Sequence, residues 1–255
     1  MDSSGGSRDV PVVVARQLVK SFRGIRAVDG VSFEAKDAIV GLIGPNGAGK
    51  TTIFNLVGGY LKPDDGDVLL DGESIANLSP HEVARAGIGR TFQVPRPFKD
   101  LTVRRNVAIA ALMHAGNRQA ALRAADEVME QVGLADKADR VAGHLGVADR
   151  KRMEMAKALA TRPKVLLLDE VFAGLNPTEM DNLVPVVRTV HANGITILLV
   201  EHVLRVVMRL CRKVIVVHQG QLIAEGTPEQ VIRDPATIEA YLGLPLQWEE
   251  FAPDA

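Results

Sequence analysis

Cysteine is almost absent from this 255-residue chain: Cys211 stands alone. No internal disulfide can form, and the apolar setting of Cys211 predicts a buried, inert thiol in a reducing compartment. Aromatic residues are scarce, at 4%, so the core must be aliphatic and any displayed aromatic calls for a reason. Long apolar runs are missing. A membrane-spanning helix needs ~20 consecutive apolar residues, whereas the best runs, Ile195–Val200 and Val214–Val217, are strand-sized. An excess of one charge is missing too. Thirty Lys and Arg face 31 Asp and Glu, so no basic surplus marks a nucleic-acid surface and no nucleic-acid partner is expected. Met1–Asp9 is polar and Ser/Gly-rich, which predicts a disordered tail and not a secretion signal. With 47% hydrophobic and 24% charged residues, the composition is that of a soluble globular protein.

What is present alternates short apolar runs with amphipathic segments, the rhythm of an α/β protein. Strands are expected at Val10–Val14, Val31–Glu34 and Ile39–Ile43, and a helix at Lys50–Val57. Lys62–Gly66 reads as a turn before a strand at Asp67–Leu70. Ser79-Pro80-His81-Glu82 is a capping box that starts a short helix. From Thr102 to about Thr161 the chain is rich in strong helix formers. The alternation then returns with a strand at Val165–Leu168 and a helix over Thr178–Ala192, which Pro185 should kink or restart. Strand Ile195–Val200, helix Val203–Leu210 and strands Val214–Val217 and Gln221–Ala224 follow. Thr227-Pro228-Glu229-Gln230 caps the C-terminal helices. The expected organisation is an α/β lobe made of residues 10–92 and 164–244, an all-helical insert at 93–163, and tails at 1–9 and 245–255.

Gly44-Pro45-Asn46-Gly47-Ala48-Gly49-Lys50-Thr51 matches the pattern G-x-x-x-x-G-K-[ST] between an expected strand and an expected helix. Glycines let successive backbone N–H groups turn toward phosphate oxygens, and the helix N-terminus adds partial positive charge. Lys50 is placed to reach the β- and γ-phosphates, Thr51 to offer a hydroxyl to Mg²⁺, and Thr52 completes the phosphate-binding set. Asp169 and Glu170 end the apolar run Val165–Leu168. An acid at a parallel strand's C-terminal edge can hold Mg²⁺, and a second beside it can orient or deprotonate water. Together these features describe a P-loop nucleoside triphosphatase.

Further strings resemble the ATP-binding cassette (ABC) ATPases. Gln93, in Arg90-Thr91-Phe92-Gln93, matches the Q-loop of that family. His202, in Leu199-Val200-Glu201-His202, matches its switch histidine. Ala173-Gly174-Leu175-Asn176 matches its D-loop. Phe22, ahead of the phosphate loop, lies where the family places an aromatic that stacks on adenine. Arg90–Phe98, Glu201-His202 and the closing Gly226-Thr227-Pro228-Glu229 and Ala240-Tyr241-Leu242-Gly243 are similar to the ATPases of branched-chain amino acid uptake. Lipopolysaccharide-export and urea-uptake ATPases share some of these strings.

The resemblance implies an α/β P-loop fold with an inserted helical subdomain, and ATP and Mg²⁺ as cofactors. It gives Glu170 as general base, Lys50 and His202 as stabilisers of phosphate charge, and Gln93 as a γ-phosphate sensor and metal ligand beside Thr51 and Asp169. It also implies a second ATPase subunit, membrane permease subunits contacted by Val94–Thr102, indirect work with a periplasmic solute-binding protein, and a place at the cytoplasmic face of the inner membrane. One motif departs from the family. The signature that caps the partner's ATP, usually Leu-Ser-Gly-Gly-Gln, is Leu145-Gly146-Val147-Ala148-Asp149. Gly146 lacks the hydroxyl that donates to the γ-phosphate, and Ala148 adds a Cβ where backbone should approach phosphate. A homodimer would have both composite sites impaired and a heterodimer only one; branched-chain amino acid systems typically pair two different ATPases, so the resemblance implies a heterodimer over a homodimer. A nucleotide-binding subunit of low turnover is the alternative. The charge run Arg150, Lys151 and Arg152 reads as a solvated helix face, and the histidines other than His202 as surface or structural.

Overall fold

The computed structural model describes residues 12–93 and 97–242. The expectations for the two tails and for Val94–Arg96 lie outside the described residues. β1 (Val12–Phe22) and β2 (Ile25–Lys36) form one long antiparallel hairpin. Its turn, Arg23-Gly24, has both residues at positive φ, 48° and 85°, as a two-residue hairpin turn demands. The described part of the strand expected at Val10–Val14, residues 12–14, and the strand expected at Val31–Glu34 are only the apolar ends of this hairpin. Polar Arg16, Gln17, Lys20 and Ser21 and a register shift between Ala15 and Leu18 disguise the rest.

The chain then forms β3 (Ile39–Ile43) and α1 (Lys50–Val57) and returns beside β1 with β4 (Asp65–Leu70) and β5 (Glu73–Ser74). The resulting antiparallel sheet has the order β2-β1-β4-β5. The Ser79 amide donates to Glu82 Oε2 at 2.8 Å and Pro80 opens α2 (Pro80–Ala86), as the capping box requires. β6 (Ile88–Arg90) was not expected, because three residues with Gly89 at their centre carry no period. Helices α3 (Val103–Ala111), α4 (Arg118–Gln131) and α5 (Val147–Ala160) follow before β7 (Val165–Asp169). Thr102 and Asn117 cap α3 and α4 with their side chains.

After β7 come α6 (Pro177–Ala192), β8 (Thr196–Val200), α7 (Leu204–Leu210), β9 (Lys213–His218), β10 (Gln221–Gly226), α8 (Pro228–Val231) and α9 (Pro235–Leu242). α6 continues through Pro185 without restarting, with the proline on its exposed side. The second sheet has the order β10-β9-β3-β8-β7-β6, parallel except for β10. β3, β7 and β8 are buried along their whole length, which is why they read as continuous apolar runs. Alternate side chains of β7 part to opposite faces. Leu166 and Leu168 join the core of the helical segment, while Val165 and Leu167 join the core of α1 and the hairpin sheet. Each buried leucine stabilises this sandwich by about 1.5–3 kcal/mol. The helices between β6 and β7 thus share one continuous apolar core with a face of the sheet.

Candidate functional site

Strand register gathers the site. Leu42 of β3 pairs with Val200 of β8, and Val200 pairs with Asp169 of β7. The phosphate loop, Glu201-His202 and Glu170 therefore leave the sheet at one C-terminal edge, the ligand edge of parallel α/β sheets. The loop is packed tightly from outside. A Cβ on Gly44 (φ 151°) would lie 2.0 Å from the Val217 carbonyl oxygen, and one on Gly49 (φ 105°) 2.4 Å from that of Ala27. Gly220 donates its N–H to Ala48 O at 3.0 Å, tying the loop to the β9–β10 turn. Lys50 opens α1, and its buried ammonium donates to Gly44 O at 2.6 Å and Pro45 O at 2.8 Å. Burial lowers its pKa and the charge of Glu170 opposes that shift. Thr51 is exposed and Thr52 half-buried in the same first turn.

Glu170 and Gln93 meet: Gln93 Nε2 donates to Glu170 Oε2 at 2.5 Å. Asp169 is buried and ion-paired, with Arg90 Nη2 at 3.0 Å from its Oδ2. The same guanidinium donates to Asn55 Oδ1 at 2.7 Å and sits over Tyr60, Phe54 and Phe92 at 5.1, 5.8 and 5.8 Å from the ring centres. Thus some of the few aromatics serve to house a cation. Thr91 Oγ1 accepts from the Asp169 amide at 3.1 Å. Arg90 and Thr91 were read only as part of a string. Their roles depend on the pairing of β6 with β7, which a three-residue strand does not announce.

The charge run Arg150–Arg152 is not a solvated face, contrary to expectation. Lys151 is 5% exposed and bonded to two backbone carbonyls, Gln93 O at 3.1 Å and Glu170 O at 2.8 Å. Arg152 donates to the Asn182 carbonyl at 3.1 Å. Glu201, beside His202, is 1% exposed and accepts the Phe172 amide at 2.9 Å. Burial raises its pKa from 4.5 to about 7. His202 itself is exposed just past β8.

In the segment expected to be the signature, Leu145 is buried and Gly146 is the N-cap of α5 with no side chain to cap it. Val147 is exposed, and Asp149 takes both bonds from Lys137 at 2.8 Å. In the segment expected to be the D-loop, Leu175 is buried, and Asn176 opens α6 in a reciprocal capping box with Glu179. Phe22 ends β1 as a 43% exposed residue, with the Lys20 ammonium 5.9 Å from its ring centre. A cleft of about 330 Å³ runs beside Pro45–Ala48 and is lined also by His218, Gln219 and Ala240. Next to it, burial pushes the Tyr241 hydroxyl up to about 12, with the hydrogen-bonded backbone of Gly44 pulling the other way. The closing Ala240-Tyr241 string gave no hint of this contact with the phosphate loop. Cys211 is buried as expected, its thiol pushed up to about 12.

Residues 28–173 match the family model described as ABC transporter, and residues 221–243 the model described as Branched-chain amino acid ATP-binding cassette transporter. The high-affinity branched-chain amino acid transport ATP-binding protein BraF of Pseudomonas aeruginosa is 39% identical over 250 residues, covering 91% of this chain and 98% of that protein. The corresponding LivG of Escherichia coli is 39% identical over 252 residues, with the same coverage. The lipopolysaccharide export ATP-binding protein LptB of Escherichia coli is 36% identical over 234 residues, covering 91% of this chain and 97% of that protein. The crystal structure of an ABC transporter's ATP-binding cassette in its ADP conformation superposes with a TM-score of 0.84 at 33% identity, covering 92% of this chain and 99% of that one. With the phosphate loop, the acid pair and these matches in hand, the chain belongs to the ATP-binding cassette transporter family, as one of its ATP-hydrolysing subunits.

Proposed function

We propose that this chain hydrolyses ATP at the cytoplasmic face of the inner membrane to drive uptake of branched-chain amino acids or a related solute, paired with a second, different ATPase. The observation that carries the chemistry is the contact between Glu170 and Gln93 at the sheet edge where the phosphate loop also emerges. The solute class is supported by BraF and LivG and by the match over residues 221–243. Subunits of this family dimerise and act with membrane permease subunits, and among the described residues no helix is long and apolar enough to cross a membrane.

In this reading ATP lies on Gly44–Thr52 with its adenine against the exposed ring of Phe22. Glu170 takes the proton of the attacking water, held in place by Gln93. Lys50 and His202 face the charge that develops on the transferred phosphoryl group. Thr51 Oγ1, the Gln93 amide oxygen and the Asp169 carboxylate would hold Mg²⁺. An oxygen-only set with few protein ligands suits this ion, which is shared with substrate phosphates. When bound, the metal supplies positive charge to the β- and γ-phosphates. The helical segment at 93–163 serves as the moving subdomain. Val94–Thr102 meets a permease helix, and the periplasmic binding protein acts through the permeases. The buried Asn106, which accepts the Phe98 amide at 2.8 Å and donates to its carbonyl at 3.1 Å, braces the end of that segment while Phe98 stays exposed.

The uncapped Gly146 favours asymmetry: Leu145–Asp149 completes the weaker of two composite sites, and the partner's signature completes the stronger. Its missing hydroxyl equally supports a subunit of low turnover as the second reading. Glu170→Gln in the complete transporter should lower steady-state ATPase by about 10²-fold or more, and an unchanged rate would overturn the assignment.

A further inference from the structure

The sixth position of α5, counted from its N-cap, carries Lys151 into the interior. Five per cent of the residue is exposed, and the two hydrogen bonds of its ammonium go to the Glu170 and Gln93 carbonyls, at 2.8 and 3.1 Å. These two residues come from separate segments, Glu170 just past β7 and Gln93 three residues past β6, and their side chains meet at 2.5 Å. Glu170 is also held in the left-handed region, φ 46°, which is costly for a residue with a Cβ and persists only where neighbours over-determine it. Its amide is pinned to Val200 O at 3.0 Å, and its carbonyl takes the Ala173 amide at 3.2 Å besides Lys151. Lys151 is the side chain among these pins that also reaches the Q-loop. Burial lowers the pKa of this ammonium, and the charges of Glu201, Glu170 and Asp169 oppose that shift.

We propose that Lys151 is a positioning residue acting in cis: from the helix that begins at the signature, it fixes the backbones of Glu170 and Gln93 and so aims the catalytic pair of this chain's own site. The inference rests on the reading of Glu170 as the general base. One helix then serves two nucleotides. Its N-terminus addresses the ATP bound by the partner, and its second turn sets the geometry around the ATP bound by this subunit. The changes at Gly146 and Ala148 alter the first task and leave the second intact.

The test compares wild type, Lys151→Met, Lys151→Arg and Glu170→Gln in the assembled transporter, with steady-state ATPase and with ADP binding to the full-length chain. Lys151→Met should lower kcat by about 10–100-fold, the scale of a small misplacement of a reacting group. ADP affinity and KM for ATP should stay within about twofold, since the phosphate loop and Phe22 are untouched. Lys151→Arg, which keeps the cation and its donors, should recover kcat to within a few-fold of wild type. A wild-type kcat in Lys151→Met, with Glu170→Gln inactive, would overturn the proposal alone. Parallel loss of kcat and ADP affinity in both Lys151 variants would reduce Lys151 to a structural part. A fully active Glu170→Gln would remove the general-base reading, and this proposal with it.

Discussion

Glu201 offers a sharp physical test, because its carboxyl is buried without full compensation. One oxygen accepts the Phe172 amide, while Oε2 has no hydrogen-bond partner. Burial raises its pKa from 4.5 to about 7. A carboxyl with a raised folded-state pKa contributes stability that is fully present below the unfolded value. That stability is lost as pH rises through the folded value. Between pH ~4.5 and ~7 the unfolded chain gives up this proton while the native chain keeps it, so unfolding becomes easier. At about 1.4 kcal/mol per tenfold change in proton affinity, the loss amounts to about 3 kcal/mol at most. Glu201→Gln removes the titration and keeps an oxygen for Phe172. Urea unfolding of wild type and variant from about pH 5 to pH 8 isolates the effect, since the other carboxyls are common to both. The stability difference should move in favour of the glutamine by about 2–3 kcal/mol over that range. A difference that stays flat with pH would refute the reasoning.

Three further outcomes follow from the site. Gly44→Ala, whose Cβ would lie 2.0 Å from Val217 O at φ 151°, should abolish ATP binding in equilibrium titration and destabilise the fold by at least about 2 kcal/mol. Arg90→Met strands the buried Asp169 carboxylate, at about 3–5 kcal/mol. Its melting temperature should fall by about 6–20 °C, and adding Asp169→Asn should recover part of the loss. Gly146→Ser with Ala148→Gly restores the family's signature atoms where a Cβ at 146 meets nothing within 4 Å. Restoring one charge-assisted bond of ~1.5–3 kcal/mol should raise ATPase of the assembled complex by about tenfold or more.

The parts of the site that were legible in the sequence are local. The phosphate loop is eight consecutive residues, and β7 and β8 are apolar runs that end in acids. The α/β class follows from those runs and the helix formers between them. What escaped reading depends on distant partners. The middle of the hairpin is polar because the register shift exposes Arg16 and Gln17 side by side and breaks the alternation, so only its ends look like strands. Lys151 looks like its neighbours Arg150 and Arg152 until the Gln93 and Glu170 carbonyls are brought beside it, 58 and 19 residues away. Arg90 becomes a partner of Asp169 only through the pairing of β6 with β7. A charged side chain bonded to backbone atoms leaves no complementary charge for a sequence pattern to show.

The row Leu42–Val200–Asp169 crosses three adjacent parallel strands. Neighbouring strands lie ~4.8 Å apart, so the roots of the phosphate loop and of the acid pair are separated by about two such spacings and are fixed like the teeth of a comb. No rotation of a side chain alters that spacing, and a slip of one residue would turn every buried side chain of the strand to the wrong face. The strokes of this motor therefore have to be taken up by parts attached beside the comb. α5 is held beside it by the shared apolar core, while Gln93 is tied to Glu170 and Lys151 by polar bonds that a bound phosphate could disturb.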